Sequence, residues 1–95
     1  MMKLSVIIPA YNEEKTINEI VERVLSSKTE LEKEVIIIDD GSTDKTVAII
    51  ENAPWIGKVI FVKNGLNMGK GAAVRNGLKN ASGDFMIIQD AALEY

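Results

Sequence analysis

Two pairs of carboxylates follow apolar runs in this sequence, and their types and spacing suit the binding of a cation or a polar ligand. Asp39 and Asp40 come directly after the apolar run 35–38, and Asp90 follows the run 85–88 with Glu94 four positions later. Hard divalent cations such as Mg²⁺ and Mn²⁺ prefer oxygen ligands, so Asp90 and Glu94 could share one metal ion. The alternative interpretation is that Asp39 and Asp40 belong merely to a strand, a turn and a helix cap, and that Asp90 and Glu94 are solvated acids near a chain end.

A glycine-rich segment, residues 64–71, could place positive charge next to a phosphate group. It is not a standard phosphate-binding loop, because three residues rather than four separate its first two glycines and its lysine is followed by glycine. It also lacks the third glycine of a dinucleotide-binding fingerprint. One interpretation is a turn that caps the next helix. The other is that Lys70 and Arg75 supply charge near a ligand phosphate, helped by backbone amides at the helix start.

The composition excludes several other kinds of chemistry. The 95 residues contain no cysteine and no histidine, which excludes disulfides, thiolate or histidine metal sites and histidine-based triads. The net charge of −3 gives no indication of nucleic-acid binding. No apolar run approaches the roughly 20 residues that span a bilayer, and we expect no signal peptide. The sequence predicts one small domain.

Strand-like and helix-like segments alternate along the chain in the order β-α-β-α-β-α-β. Pro9 is expected to end the first strand, and Asn12 to cap the first helix. A buried strand cannot easily hide two adjacent charges, so Asp39 and Asp40 are expected to mark the exit of the second strand. The predicted strands are 4–9, 35–39, 59–62 and 85–88, and the predicted helices are 13–25, 45–52 and 71–81.

Right-handed crossovers make these strands parallel and cover both faces of the sheet with helices. The strand order 3-2-1-4 would bring three polar strand exits, residues 9–14, 39–44 and 90–94, to one rim, where open α/β sheets bind ligands. This convergence indicates a ligand site more strongly than any single motif. In the same order the fourth strand, 85–88, is an apolar edge, which predicts self-association.

Four segments occur in an order and spacing that resemble family 2 glycosyltransferases, whose nucleotide-sugar-binding fold is called GT-A. They are residues 9–14, 39–44, 67–77 and 83–95, and they look most like dolichyl- or polyprenyl-phosphate sugar transferases. The resemblance implies a Rossmann-like parallel sheet that forms part of a GT-A fold. It also implies transfer of a sugar from a GDP- or UDP-sugar to an acceptor such as polyprenyl phosphate, in the cytoplasm or at the cytoplasmic face of a membrane.

Family catalytic domains are considerably longer than this chain. We therefore expect residues 1–95 to form a single, truncated donor-binding domain that is inactive alone. The resemblance implies that the nucleotide sugar contacts residues of the first three motifs. Pro9, Tyr11 and Glu13 would line the nucleoside pocket, Asp40 and Ile38 would hold the base with Asp39 nearby, and Lys70 and Arg75 would lie near the donor site. Tyr11 could instead simply pack beside the first strand.

The last motif resembles the family's Asp-x-Asp sequence, whose carboxylates hold Mg²⁺ or Mn²⁺ on the donor diphosphate. Asp90 and Ala91 match its first two positions, and Glu94 matches a position that can supply a further metal ligand. The second acid is replaced by Ala92, so metal binding is expected to be weakened. The competing hypothesis is a non-catalytic module that binds nucleotide weakly or pairs with another chain.

Overall fold

The apolar, β-branched runs of the sequence form the strands in the computed structural model of the chain, which describes residues 2–92. Strands and helices alternate in the predicted order, with one short 3₁₀ helix before the third strand. This confirms the predicted α/β fold. The elements are β1 (Lys3–Ala10), α1 (Ile17–Ser26), β2 (Glu32–Asp39), α2 (Thr46–Glu51), the 3₁₀ helix (Ile56–Lys58), β3 (Ile60–Lys63), α3 (Lys70–Asn80) and β4 (Phe85–Ile88).

The four strands form one parallel sheet in the order β3-β2-β1-β4, which confirms the predicted order. β1 is central, and its Ile7 lies opposite Ile36 of β2 and Ile88 of β4. Within residues 2–92, β4 pairs only with β1. The four side chains of β4, all apolar, are 45–51% exposed. The predicted apolar edge is therefore present.

Helices cover both faces of the sheet, as predicted. On one face, α1 and α2 pack against alternate side chains of β1 and β2, and Trp55 packs into the same core. On the other face, Ala73 of α3 packs against Ile36 and Ile38. Alternation along each strand sends neighbouring residues to opposite faces, so a run without polar residues supplies both cores.

α3 approaches the sheet closely through a glycine. A Cβ at Gly77 would lie 2.5 Å from Cγ2 of Ile7, so a larger residue there would force the helix or the strand to shift. This contact sets the distance between α3 and β1. It also directs the first turn of α3 to the carboxyl end of the sheet, where the candidate site lies.

Two predicted boundaries near the first strand are wrong. β1 does not end at Pro9 but continues through Ala10, whose carbonyl accepts the N–H of Asp40 (2.9 Å). Asn12 does not cap α1, which begins later in the chain. Asn12 instead has a φ of 52°, and its Oδ1 accepts the N–H of Thr43 (2.8 Å). The side chain thus binds the neighbouring β2–α2 turn rather than its own helix.

No helix within residues 2–92 has the length and apolar character needed to cross a membrane.

Candidate functional site

The loops after β1, β2 and β4 and the first turn of α3 surround one cavity at the carboxyl ends of the strands. The cavity has a volume of about 230 Å³ and opens to solvent. This is the rim at which the sequence predicted three polar strand exits to converge, and all three contribute to the lining. The lining residues are Pro9, Ala10, Tyr11, Glu13, Asp40, Asn67, Gly69, Lys70, Ala73 and Asp90.

The turn after β2 is built around Asp39. Its Oδ2 accepts the N–H groups of Gly41 (3.1 Å) and Ser42 (3.0 Å), and the side chain is only 2% exposed. Gly41 has a φ of 81°, and a Cβ there would lie 2.7 Å from the backbone nitrogen of Asn67. The turn therefore needs glycine both for its backbone conformation and for its contact with the 64–69 loop.

Asp40 joins the β2 exit to the start of α3. Its Oδ1 accepts the N–H of Met68 (2.8 Å), and its Oδ2 accepts the N–H of Gly69 (2.9 Å). Asp39 and Asp40 stand at the exit of β2, as predicted, yet Asp40 is only 3% exposed and thus as buried as Asp39. Backbone N–H groups take the place of water around both carboxylates, which makes their burial possible.

The loops after β1 and β2 are joined by hydrogen bonds. The N–H of Asn12 donates to Oγ of Ser42 (2.9 Å), and the N–H of Glu13 donates to Oγ1 of Thr46 (2.9 Å). The exit of β4 is tied to the same region. The hydroxyl of Thr16 donates to the carbonyl of Ala91 (2.7 Å).

Asp44 stabilises the start of α2. Its Oδ1 accepts the N–H of Thr46 (2.9 Å), and its Oδ2 accepts the N–H of Glu14 (3.3 Å). Burial by itself would raise the pKa of Asp44, but the hydrogen bonds from Thr46 and Glu14 outweigh it and hold the pKa below its ordinary value. The carboxylate thus remains charged in its role as a helix-start acceptor.

Lys70 and Asp90 form an ion pair across the cavity mouth. Nζ of Lys70, at the first position of α3, lies 2.6 Å from Oδ2 of Asp90, just past β4. The two side chains are 59% and 51% exposed, so both remain accessible from solvent. The described part of the chain contains no group of three or more carboxylates arranged to hold a metal ion.

The structure brings together six of the residues that the sequence predicted for the site. Ile38 and Asp39 are buried beside the cavity but do not line it, and Arg75 is exposed farther along α3. Ala91 is buried, and its carbonyl is used by Thr16. Glu94 lies outside the described residues. The six that line the cavity are Pro9, Tyr11, Glu13, Asp40, Lys70 and Asp90.

Four lining residues were not predicted from the sequence. Asn67 and Gly69 carry a detectable signal, since both belong to a loop rich in turn residues that precedes a helix. Gly69 has a φ of 95°, which explains the need for glycine before α3. Ala10 and Ala73 have no polar group, and only the packing of α3 on the sheet brings them to the cavity.

Comparison with known proteins identifies the relatives of this chain. The family model of "Glycosyl transferase family 2" matches residues 5–95. The dolichol-phosphate mannosyltransferase of Pyrococcus furiosus is 34% identical over 94 residues, which cover 99% of this chain and 27% of that protein.

Solved structures share the fold. TarS 1–349 of S. aureus, in complex with UDP-GlcNAc, is 35% identical with a TM-score of 0.82, over 95% of this chain and 26% of that one. Mannosyltransferase PcManGT from Pyrobaculum calidifontis, in complex with GDP-Man and Mn²⁺, is 28% identical with a TM-score of 0.83, over 93% of this chain and 27% of that one. The chain thus spans about a quarter of the length of these relatives.

Proposed function

This chain belongs to glycosyl transferase family 2, and we propose that residues 1–95 form the part of such an enzyme that binds the nucleoside diphosphate sugar. The donor would be a GDP- or a UDP-sugar, since one solved relative is in complex with GDP-Man and another with UDP-GlcNAc. The chain alone is expected to lack transfer activity, because it corresponds to about a quarter of the length of its relatives.

One observation carries this proposal. The cavity at the carboxyl ends of the strands is lined from three separate strand exits and from the first turn of α3, and it carries one exposed cationic side chain, Lys70. Parallel α/β sheets bind nucleotides at this rim, beside the point where the strand order reverses. In this sheet that point lies between β1 and β4, directly beneath the cavity.

The lining residues suggest how a nucleotide would lie. Tyr11 is 41% exposed at the cavity, so its ring is available for stacking on a base, with Pro9 and Glu13 beside it. Asp40 shapes the end of the cavity that would hold the base, because its carboxylate fixes the 64–69 loop. Asp39 and Ile38 support Asp40 from below. Lys70 lies where it could meet the phosphates, and Arg75 would add a longer-range positive potential. Asp90 and Ala91 would border the sugar-phosphate end.

The described residues do not by themselves fit a divalent metal ion. Asp90 is already paired with Lys70, and neither Ala91 nor Ala92 offers a side-chain oxygen. Such ions are usually held by one or two carboxylates that are free to bind them, together with phosphate oxygens of the ligand. The family would hold Mg²⁺ or Mn²⁺ here, and Mn²⁺ accompanies GDP-Man in one relative. We therefore propose that this chain binds such an ion only weakly, and only where Glu94 adds a second carboxylate and the ion displaces Lys70 from Asp90.

The acceptor is proposed from the relatives alone. The name of the Pyrococcus furiosus relative specifies dolichol phosphate, a polyprenyl phosphate lipid. A complete enzyme that contained this chain would then transfer its sugar to a polyprenyl phosphate, in the cytoplasm or at the cytoplasmic face of a membrane. No residue of the described cavity is assigned to that acceptor.

Nuclear magnetic resonance of the ¹⁵N-labelled chain tests the proposed site. GDP and UDP should shift the amide signals of Tyr11, Asn67 and Gly69, which line the cavity. The amides of Ser82 and Gly83, at the opposite end of the sheet, should not move. Shifts confined to the opposite end, or no shifts at millimolar nucleotide, would overturn the proposal.

A second candidate function is a non-catalytic module that associates with itself or with another chain. The observation that favours it is the exposed β4 edge, whose side chains are all apolar and about half exposed. Unpaired apolar edges promote strand-to-strand association. Nucleotide-induced shifts around the cavity would favour the first function, and an associating chain that ignores nucleotide would favour the second.

A further inference from the structure

We propose that the ammonium group of Lys70 takes the place of a divalent cation in this site, so that the chain binds a nucleoside diphosphate without metal. This inference rests on the proposed function and concerns how the same site balances the charge of its ligand. It starts from the 2.6 Å contact between Nζ of Lys70 and Oδ2 of Asp90.

The charges that face the cavity favour a single cation. The charged side chains in the lining are Glu13, Asp40, Lys70 and Asp90. Asp40 is buried and directed at the backbone N–H groups of Met68 and Gly69, so it does not point its charge at the ligand. Glu13 is partly buried, and its Oε2 lies 3.2 Å from the Thr16 hydroxyl, whose one hydrogen is donated to the carbonyl of Ala91. Asp90 is the carboxylate at the mouth, and Lys70 neutralises it.

Because residue 92 is alanine, the single positive charge of Lys70 is enough to balance the carboxylate of Asp90. A carboxylate at position 92 would add a second negative charge beside Asp90, and the pair would repel a diphosphate unless a divalent cation bound between them. With alanine at this position, Lys70 and Asp90 balance each other. At the cavity mouth the diphosphate then meets a neutral pair with an accessible ammonium group rather than two adjacent carboxylates.

The backbone fixes the position from which the Lys70 side chain extends. Gly69 donates its N–H to the buried Asp40 and adopts a φ of 95°, which sets the start of α3, and Lys70 is the first helical residue. The N–H groups of this first turn and the helix dipole favour a negative ligand at the same place. Because the Lys70–Asp90 pair is more than half exposed, it is a weak pair, and a phosphate can compete with Asp90 for the ammonium.

Calorimetric titration tests this substitution of lysine for metal. UDP and GDP are titrated into the unaltered chain in EDTA and in MnCl₂, and the same is done with Lys70→Met. Lys79→Met is the matched control, because Lys79 is an exposed lysine in the last turn of the same helix. The parent nucleosides, uridine and guanosine, are titrated as well, since they lack the phosphates that Lys70 is proposed to meet.

The affinity of the unaltered chain should change by less than about twofold between EDTA and Mn²⁺, and Lys70→Met should weaken diphosphate binding about tenfold. Lys79→Met should leave the affinity for the diphosphates unchanged. Neither substitution should change the affinity for the nucleosides. Ala92→Asp should make the chain respond to metal, with Mn²⁺ tightening diphosphate binding by about tenfold.

Three results would overturn the inference while leaving the proposed function intact. They are tightening of about tenfold or more by Mn²⁺ in the unaltered chain, unchanged diphosphate binding in Lys70→Met, and no metal response in Ala92→Asp. Failure of the unaltered chain to bind either diphosphate, with or without Mn²⁺, would overturn the proposed function and this inference with it.

Discussion

The carboxylate of Asp40 holds the backbone N–H of Gly69 at 2.9 Å, across 29 positions of the sequence. This one contact connects the end of a buried strand to the residue before α3. Its second oxygen binds the N–H of Met68, so the carboxylate fixes two consecutive amides. The shape of the cavity, and the starting point of the Lys70 side chain, both depend on this connection.

Replacing Asp40 with asparagine should loosen that loop. An asparagine side chain has one acceptor oxygen, and its NH₂ group would face an N–H donor, leaving a buried donor unsatisfied. We expect a loss of about 1–3 kcal/mol in the free energy of unfolding and faster hydrogen exchange at Met68 and Gly69. Denaturant unfolding and amide exchange measure the two effects. Glu30→Gln, at an exposed position, is the control, and unchanged exchange at both amides would contradict the role of Asp40.

The close contact of α3 with the sheet predicts a steric cost at Gly77. Gly77→Ala should lower the free energy of unfolding by about 1–3 kcal/mol, because the new methyl group overlaps Ile7 in a packed core. Gly57→Ala is the matched control, since a Cβ there has no neighbour within 4 Å. Urea denaturation of both variants checks the difference. Equal stability of the two variants would show that α3 can move away at little cost.

The hydrogen bonds of Glu34 predict that the free energy of unfolding depends on pH. Its Oε2 accepts the hydroxyl of Ser5 (2.7 Å) and the N–H of Ser82 (2.9 Å). Burial would raise the pKa of Glu34, but these hydrogen bonds, a third from the Ser82 hydroxyl and the charge of Lys3 hold it below its ordinary value. A lowered folded-state pKa stabilises the fold above the unfolded pKa, and this stabilisation is lost as the pH falls through the folded-state pKa.

Glu34→Gln should therefore be less stable than the unaltered chain at pH 7, by about 1 kcal/mol. The difference should shrink below about pH 4, where glutamate in the unfolded chain becomes protonated. Urea unfolding at both pH values measures it, with the exposed Glu32→Gln of the same strand as control. A difference that is the same at pH 7 and in acid would exclude the charge as its source.

Most of the fold could be predicted from the sequence because its signals are local. Uninterrupted β-branched runs specify buried strands, apolar residues at helical spacing specify helices, and the handedness of crossovers then restricts the strand order. The observed order β3-β2-β1-β4 is the doubly wound order considered from the sequence; handedness alone also allows other doubly wound orders. The errors at Pro9 and Asn12 are of another kind. Asn12 is a good helix cap by type, yet its acceptor is taken by Thr43, 31 positions away.

The site could be predicted in part, and the missing part depends on contacts between distant segments. Five of the six predicted lining residues come from motifs at strand exits, and Lys70 comes from the glycine-rich segment before α3. The burial of Asp39 and Asp40 could not be predicted, because it depends on amides that the β2–α2 turn and the 64–69 loop bring to them. The pairing of Lys70 with Asp90 likewise appears only when α3 and β4 are placed side by side.

The β4 edge predicts that the chain associates with itself at high concentration. Ile87→Lys should suppress this association, because a charge on an edge strand opposes pairing with a second edge. Leu66→Lys is the control, since Leu66 is also a large exposed apolar residue but lies in the 64–69 loop. Light scattering over a concentration series measures the mass. A monomer at every concentration, for the unaltered chain, would contradict this prediction.

The central claim is that the cavity at the carboxyl ends of the strands binds a nucleoside diphosphate. Its most direct test is a calorimetric titration of the unaltered chain with GDP and with UDP. The titration should show saturable binding of at least one of the two nucleotides. The expected dissociation constant is below about 1 mM, equivalent to a free energy of binding of about −4 kcal/mol. The absence of measurable heat of binding for both nucleotides, in the presence and in the absence of Mn²⁺, would contradict it.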